Sequence, residues 1–178
     1  MTPYLSNQIL WIIQQHQQTN HLYDGLPYEF HLKLVVKYFN DYKHLLEFEG
    51  DEESFYFDIE LACWGHDLIE DTRVTYNDVV KNLGEYPAEI IYTLTTNKGR
   101  NRKQRANEEY YHGIRNTSNA TFVKLCDRLA NVRYSSLFKS HMLDVYRREN
   151  NDFQKQVADT QQYMQYKDMF VNLNNLLY

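Results

Sequence analysis

Residues 63–72 read Cys-Trp-Gly-His-Asp-Leu-Ile-Glu-Asp-Thr and put His66, Asp67, Glu70 and Asp71 beside Trp64, Leu68 and Ile69. On a helix, residues four apart share a face. His66 then stacks with Glu70 and Asp67 with Asp71, the two pairs about 100° apart around the axis. Burying several carboxylates without partners is very costly, so this polar sector is either solvated or neutralised by a cation. A divalent metal ion held by imidazole and carboxylate supplies the missing charge. Two further segments are able to complete such a site. "PYEFHL" puts His31 near the start of a helix, and "KLCDRLANVR" puts Asp127 on a stripe with Lys124, Arg128 and Asn131, opposite Leu125, Leu129 and Val132. The run 97–105 adds Lys98, Arg100, Arg102, Lys103 and Arg105, side chains suited to hold phosphates by charge-assisted hydrogen bonds.

The elements that must position these residues read as helices. Residues 4–19 carry Leu5, Ile9, Ile12 and Ile13 on one face. Asp24-Gly25 and Pro27 mark 20–28 as a loop, and a second helix is expected over about 28–44. "EFEGDEES" reads as an acidic surface loop over 47–54, and the helix bearing His66 as about 55–69. Thr75 is a candidate N-cap with Asp78 three residues on, Gly84 a stop, and Pro87 a first-turn residue of the next helix. Further helices are expected over about 104–115, 122–132, 137–149 and 152–177. No strand alternation, internal repeat or Ser/Gly-rich linker appears, so the expectation is one all-α domain.

Bulk properties narrow the function classes. The 178 residues suffice for one domain with a sizeable core. A net charge of −5 gives no global basic field for nucleic acid. Cys63 and Cys126 are too few for a disulfide framework and read as reduced core residues. No signal-peptide pattern is apparent, the first basic residue being Lys33. No apolar run approaches the ~18 residues of a membrane span. The expectation is a soluble, cytoplasmic protein.

The order His31, His66-Asp67, Asp127 resembles the H…HD…D signature of the HD-domain metal-dependent phosphohydrolases. "HDLIEDT" and "KLCDRLANVR" are similar more specifically to the RelA/SpoT-type (p)ppGpp hydrolase branch and its small stand-alone relatives. There the HD is followed by an ED pair, and the last Asp lies in a K-L-x-D-[RK]-L-x-N-x-R run. "DGLPYEFH" resembles the segment before the first His of that branch, and the similarity spans roughly residues 16–136.

The resemblance implies a single HD-domain helical bundle over 1–178, with C-terminal packing helices over 137–178. It implies one divalent ion, commonly Mn²⁺ with Mg²⁺, Fe²⁺, Co²⁺, Ni²⁺ or Zn²⁺ as substitutes, held by His31, His66, Asp67 and Asp127. Glu70 and Asp71 become the catalytic pair that orients the attacking water or handles its proton. Asn131 contacts the sugar, Lys124 or Arg128 supports the site or a phosphate, and Lys98 and Lys103 hold further phosphates. The implied activity is removal of the 3′-diphosphate of guanosine tetra- or pentaphosphate. Phosphate release from another nucleotide, such as a 5′-monophosphate or NADPH, and a non-catalytic nucleotide-binding module are the alternatives. The implied partner is a small phosphorylated nucleotide, with no nucleic acid polymer and no membrane, for a monomer or homodimer. In one respect the chain departs from that branch, which usually carries an Arg, often Arg-Lys, shortly before the Asp-Gly turn to help hold the base. The corresponding stretch "QQTNHLYDG" has neither Arg nor Lys, leaving Tyr23 or His21 to stack on a base.

Overall fold

The computed structural model describes residues 6–96 and 98–178. Helix α1 (Asn7–Gln18) starts where the Ser6 side chain accepts the Ile9 N–H at 3.3 Å, and it buries Ile9, Ile12, Ile13 and His16. Leu5, expected on the same face, lies outside the described residues. The expected loop is a two-residue hairpin, β1 (Leu22–Tyr23) with β2 (Leu26–Pro27). Asp24 and Gly25 both take positive φ, 51° and 81°, the backbone that a tight Asp-Gly turn between antiparallel strands requires. Helix α2 (Glu29–Tyr42) follows and places His31 in its first turn.

Asp51 caps α3 (Glu52–Gly65), so the end of the expected acidic loop, residues 52–54, is helical. The helix expected through Ile69 stops earlier. His66 and Asp67 form a turn, and α4 (Leu68–Asp71) is a separate short helix. Asp67, at φ −104° and ψ 5°, sits in the bridge region rather than in helix. Thr75 and Asp78 make both bonds of a capping box at the start of α5 (Tyr76–Leu83), and Gly84, at φ 99°, turns the chain into α6 (Glu85–Leu94). The basic segment forms a single turn, α7 (Arg102–Arg105), before α8 (Glu108–Asn116).

Helix α9 (Ala120–Leu137) is the axis of the fold. It contacts α2, α3, α6, α8 and two of the C-terminal helices. Its Phe122, Leu125, Cys126, Leu129 and Val132 are fully buried, because it is covered on most of its circumference. The C-terminal region divides differently from the expected 137–149 and 152–177: α10 (Met142–Val157), α11 (Thr160–Gln165) and α12 (Lys167–Leu177). Asp159 and Gln162 form a capping box that restarts the chain as α11. Cys63 and Cys126 are free and buried. Among the described residues no helix is long and apolar enough to cross a membrane.

Candidate metal centre and its cavity

Four side chains from α2, the α3–α4 turn and α9 meet at one point. The His66 Nε2 lies 2.9 Å from Asp67 Oδ2 and 3.7 Å from Asp127 Oδ1. The His31 Nε2 lies 3.3 Å from His66 Nε2, 3.4 Å from Asp127 Oδ1 and 3.9 Å from Asp67 Oδ2. A cation about 2.1 Å from each donor separates neighbouring ligands by roughly 3.0–3.4 Å, so the donor atoms of His31, His66 and Asp67 could share an ion, with Asp127 Oδ1 beside both imidazoles. The break at His66–Asp67 makes this possible. In a continuous helix the two side chains would diverge by about 100°; the bridge-region Asp67 turns both to the same side.

The surroundings aim the ligands. His66 Nδ1–H donates to the Cys63 carbonyl at 2.9 Å, which leaves Nε2 as the lone-pair donor. The Tyr28 hydroxyl donates to Asp67 Oδ2. Lys124 Nζ donates to Asp127 Oδ2 at 2.9 Å. Asn131 Nδ2 donates to the Asp127 carbonyl at 3.1 Å and to its carboxylate, while the Tyr23 hydroxyl donates to Asn131 Oδ1 at 2.9 Å. The Tyr23 ring stacks on His31 with centroids 4.7 Å apart. His31 Nδ1 is buried without a partner among the described residues. Burial opposes a charge on His66, yet the Asp67 and Asp127 carboxylates carry its pKa up to about 9. Burial likewise opposes ionised Asp127, and the Lys124 ammonium overrides it, holding the carboxyl well below its usual range. The two carboxylates thus favour positive charge beside them, and the N and O donors are of the types that hold a divalent ion.

Glu70 and Asp71 diverge from that point. Glu70 accepts the Thr96 N–H at 3.1 Å and the Thr96 hydroxyl at 2.9 Å, and it lines the cavity. Asp71 lies outside that lining, 3.7 Å from His21 Nε2. Burial, and then the charges of Asp67 and Glu70, push its pKa up to about 7. His21 spends its ring face on Tyr28, centroids 3.7 Å apart, and its Nδ1 lies 3.1 Å from that of the buried His16.

The donors open into a cavity of about 620 Å³. Lys103, Lys124, Arg128 and Asn131 line it; Lys98 and Arg100 are exposed and outside its lining. The far wall is α10, which sequence reasoning treated as packing only. It contributes Tyr146, Arg148, Glu149 and Phe153. Arg128 lies between the rings of Tyr146, at 4.6 Å, and Phe153, at 4.2 Å. A sequence signal did exist: Tyr146, Glu149 and Phe153 at i, i+3 and i+7 set an acid within one aromatic face.

No family model matches the chain. It is 27% identical over 135 residues, 74% of the chain and 69% of the relative, to guanosine-3′,5′-bis(diphosphate) 3′-pyrophosphohydrolase MESH1 of Danio rerio. It is 28% identical over 73 residues, 41% of each, to the enzyme of the same name from Drosophila melanogaster. A solved structure of a metazoan ortholog of SpoT, which hydrolyses ppGpp and plays a role in starvation responses, superposes with TM-score 0.68 at 17% identity, covering 98% of this chain and 96% of that one. The last likeness is one of fold, and it agrees with the all-α HD bundle that the sequence resemblance implies.

Proposed function

We propose that this chain, similar in sequence to the metazoan guanosine-3′,5′-bis(diphosphate) 3′-pyrophosphohydrolases, is a metal-dependent phosphohydrolase that removes the 3′-diphosphate of guanosine tetra- or pentaphosphate. The observation that carries this is the convergence of His31, His66 and Asp67, with Asp127 Oδ1 3.4 and 3.7 Å from the two imidazoles, at a cavity lined by Lys and Arg. The reading takes residues 1–178 as one HD domain, a cytoplasmic monomer or homodimer acting on a small nucleotide.

His31, His66, Asp67 and Asp127 would hold a divalent ion, Mn²⁺ as first choice, which would supply Lewis-acid chemistry toward phosphate and water. The chain's own residues do the rest. Glu70, on the cavity lining, and Asp71, outside it with its carboxyl pushed up to about 7, handle the proton of the attacking water near neutral pH, a role typically worth ~10²–10⁴-fold in rate. Glu70, tied to Thr96, orients that water. Lys124 and Lys103 offset phosphate charge, and Asn131, held by the Tyr23 hydroxyl, contacts the sugar. Water adds to the phosphorus next to the ribose 3′ oxygen, the P–O3′ bond breaks, and the 3′ oxygen leaves with a proton.

Incubation with guanosine tetraphosphate and Mn²⁺ is expected to release pyrophosphate, and His66→Ala to abolish the release. No product from protein that elemental analysis finds loaded with metal refutes the reading. Faster turnover of a 5′-monophosphate or NADPH in the same panel transfers the activity to that nucleotide class.

A further inference from the structure

Away from the metal ligands, the cavity holds one carboxylate between two guanidiniums. Arg102 Nε donates to Glu149 Oε1 at 3.0 Å and its Nη2 donates to Oε2 at 3.1 Å. Both terminal nitrogens of Arg128 lie 3.4 Å from the same Oε2. All three residues line the cavity, and among the described residues none of them bonds a metal-ligand side chain.

Two guanidiniums converging on the paired oxygens of one group is the arrangement by which arginines hold phosphate. Here the oxygens belong to the protein. The three partners differ in freedom. Arg128 is 9% exposed and fixed between Tyr146 and Phe153, whereas the side chains of Glu149 and Arg102 are 35% and 51% exposed. Arg102 rides on the four-residue α7, and Glu149 on the sixteen-residue α10. Exchange of the Arg102–Glu149 pair therefore needs no opening of the core, because both side chains reach solvent. One carboxylate offsets one of the two arginine charges. A diphosphate group, more highly charged and richer in acceptor oxygens, outcompetes it; a single phosphate does so less, and a sugar hydroxyl not at all.

We propose that Glu149 is an internal competitor for a diphosphate group of the substrate, occupying Arg102 and Arg128 until a diphosphate displaces it. The site then selects nucleotides bearing a diphosphate beyond the one cleaved over those bearing a monophosphate there. The naming of the substrate rests on the phosphohydrolase reading; the anion site does not.

The test is calorimetric titration of inorganic pyrophosphate and inorganic phosphate into the full chain as purified, into Glu149→Gln and into Arg102→Gln. Glu149→Gln is expected to tighten pyrophosphate about tenfold, and phosphate by less. Arg102→Gln is expected to weaken pyrophosphate about tenfold. Unchanged or weaker pyrophosphate binding in Glu149→Gln overturns the proposal, and so does an equal gain for phosphate. Binding at the metal alone would leave both variants like the parent, which also overturns it. Should Glu149→Gln not fold, unchanged pyrophosphate binding in Arg102→Gln is decisive by itself, since that side chain is half exposed. Pyrophosphate release from guanosine tetraphosphate is scored separately. Tightened anion binding without turnover removes the hydrolase reading and keeps the subsite; turnover with unaltered anion binding does the reverse.

Discussion

Asp67 faces His66, His31 and the Tyr28 hydroxyl at once. A hydroxyl donating to a ligating carboxylate orients it, and partners of this kind typically carry roughly 10–100-fold in metal affinity. Tyr28→Phe removes the donor and keeps the ring against His21 and His16. Mn²⁺ affinity measured by equilibrium dialysis is expected to fall by about that factor, with the helical circular dichroism retained. On the proposed reading Asp71 supplies the pH dependence. Its carboxyl is pushed up to about 7, and only its ionised form accepts a proton. Activity therefore falls as pH drops through that value, about tenfold per unit below it. A bound cation favours the ionised form and lowers the midpoint, so kcat/KM should show an acid limb at or below pH 7. Asp71→Asn is expected to erase that limb and cost about 10²–10⁴-fold in rate.

The element that matters most is the one that breaks. Gly65 is the last residue of α3, and a Cβ placed there would lie 2.7 Å from Ile91 Cδ1 and 3.2 Å from Leu68 Cδ1. Ile91 and Leu68 are fully buried, so α3 approaches α6 only because position 65 has no side chain. Overpacking typically costs ~1–3 kcal/mol, more than the helix propensity that alanine regains. Gly65→Ala is expected to lower urea stability by about 1–2 kcal/mol and to weaken metal binding by shifting His66. Ile91→Val removes the facing methyl, and Gly65→Ala in that background should cost little. Equal costs in both backgrounds would place the strain elsewhere. The same break explains a mismatch with sequence reasoning. Periodicity carries the helix through to Ile69, because Leu68 and Ile69 continue its apolar pattern; the packing of Leu68 and the turn at Asp67 depend on α6 and α1, which lie distant in sequence.

At the scale of the molecule, the candidate ligands join segments as far apart as His31 and Asp127, so an ion there would also act as a clamp on the fold. A ligand that binds only the native state stabilises it by about 2.7 kcal/mol at a hundredfold excess over its Kd. Stripping the metal with a chelator is expected to lower the thermal midpoint, and restoring Mn²⁺ to recover it. Asp127→Ala should make the midpoint insensitive to both. A chelator-insensitive midpoint in the parent protein would argue against an ion at these four side chains.

What the sequence determined by itself was local: which segments are helical, the Asp-Gly turn, the Thr75 and Asp78 cap, and the residue types able to bind a cation. These follow from spacing along one chain, where neighbours are set by helical or turn geometry. The tertiary structure decided what depends on contacts across the chain. It turned His66 and Asp67 to one side, separated Glu70 from Asp71, and left Lys98 outside the cavity that Lys103 lines. It also brought α10 onto α9, so that Glu149 meets Arg128 and Arg102. No spacing rule pairs residues 102, 128 and 149, because their meeting depends on how whole helices cross.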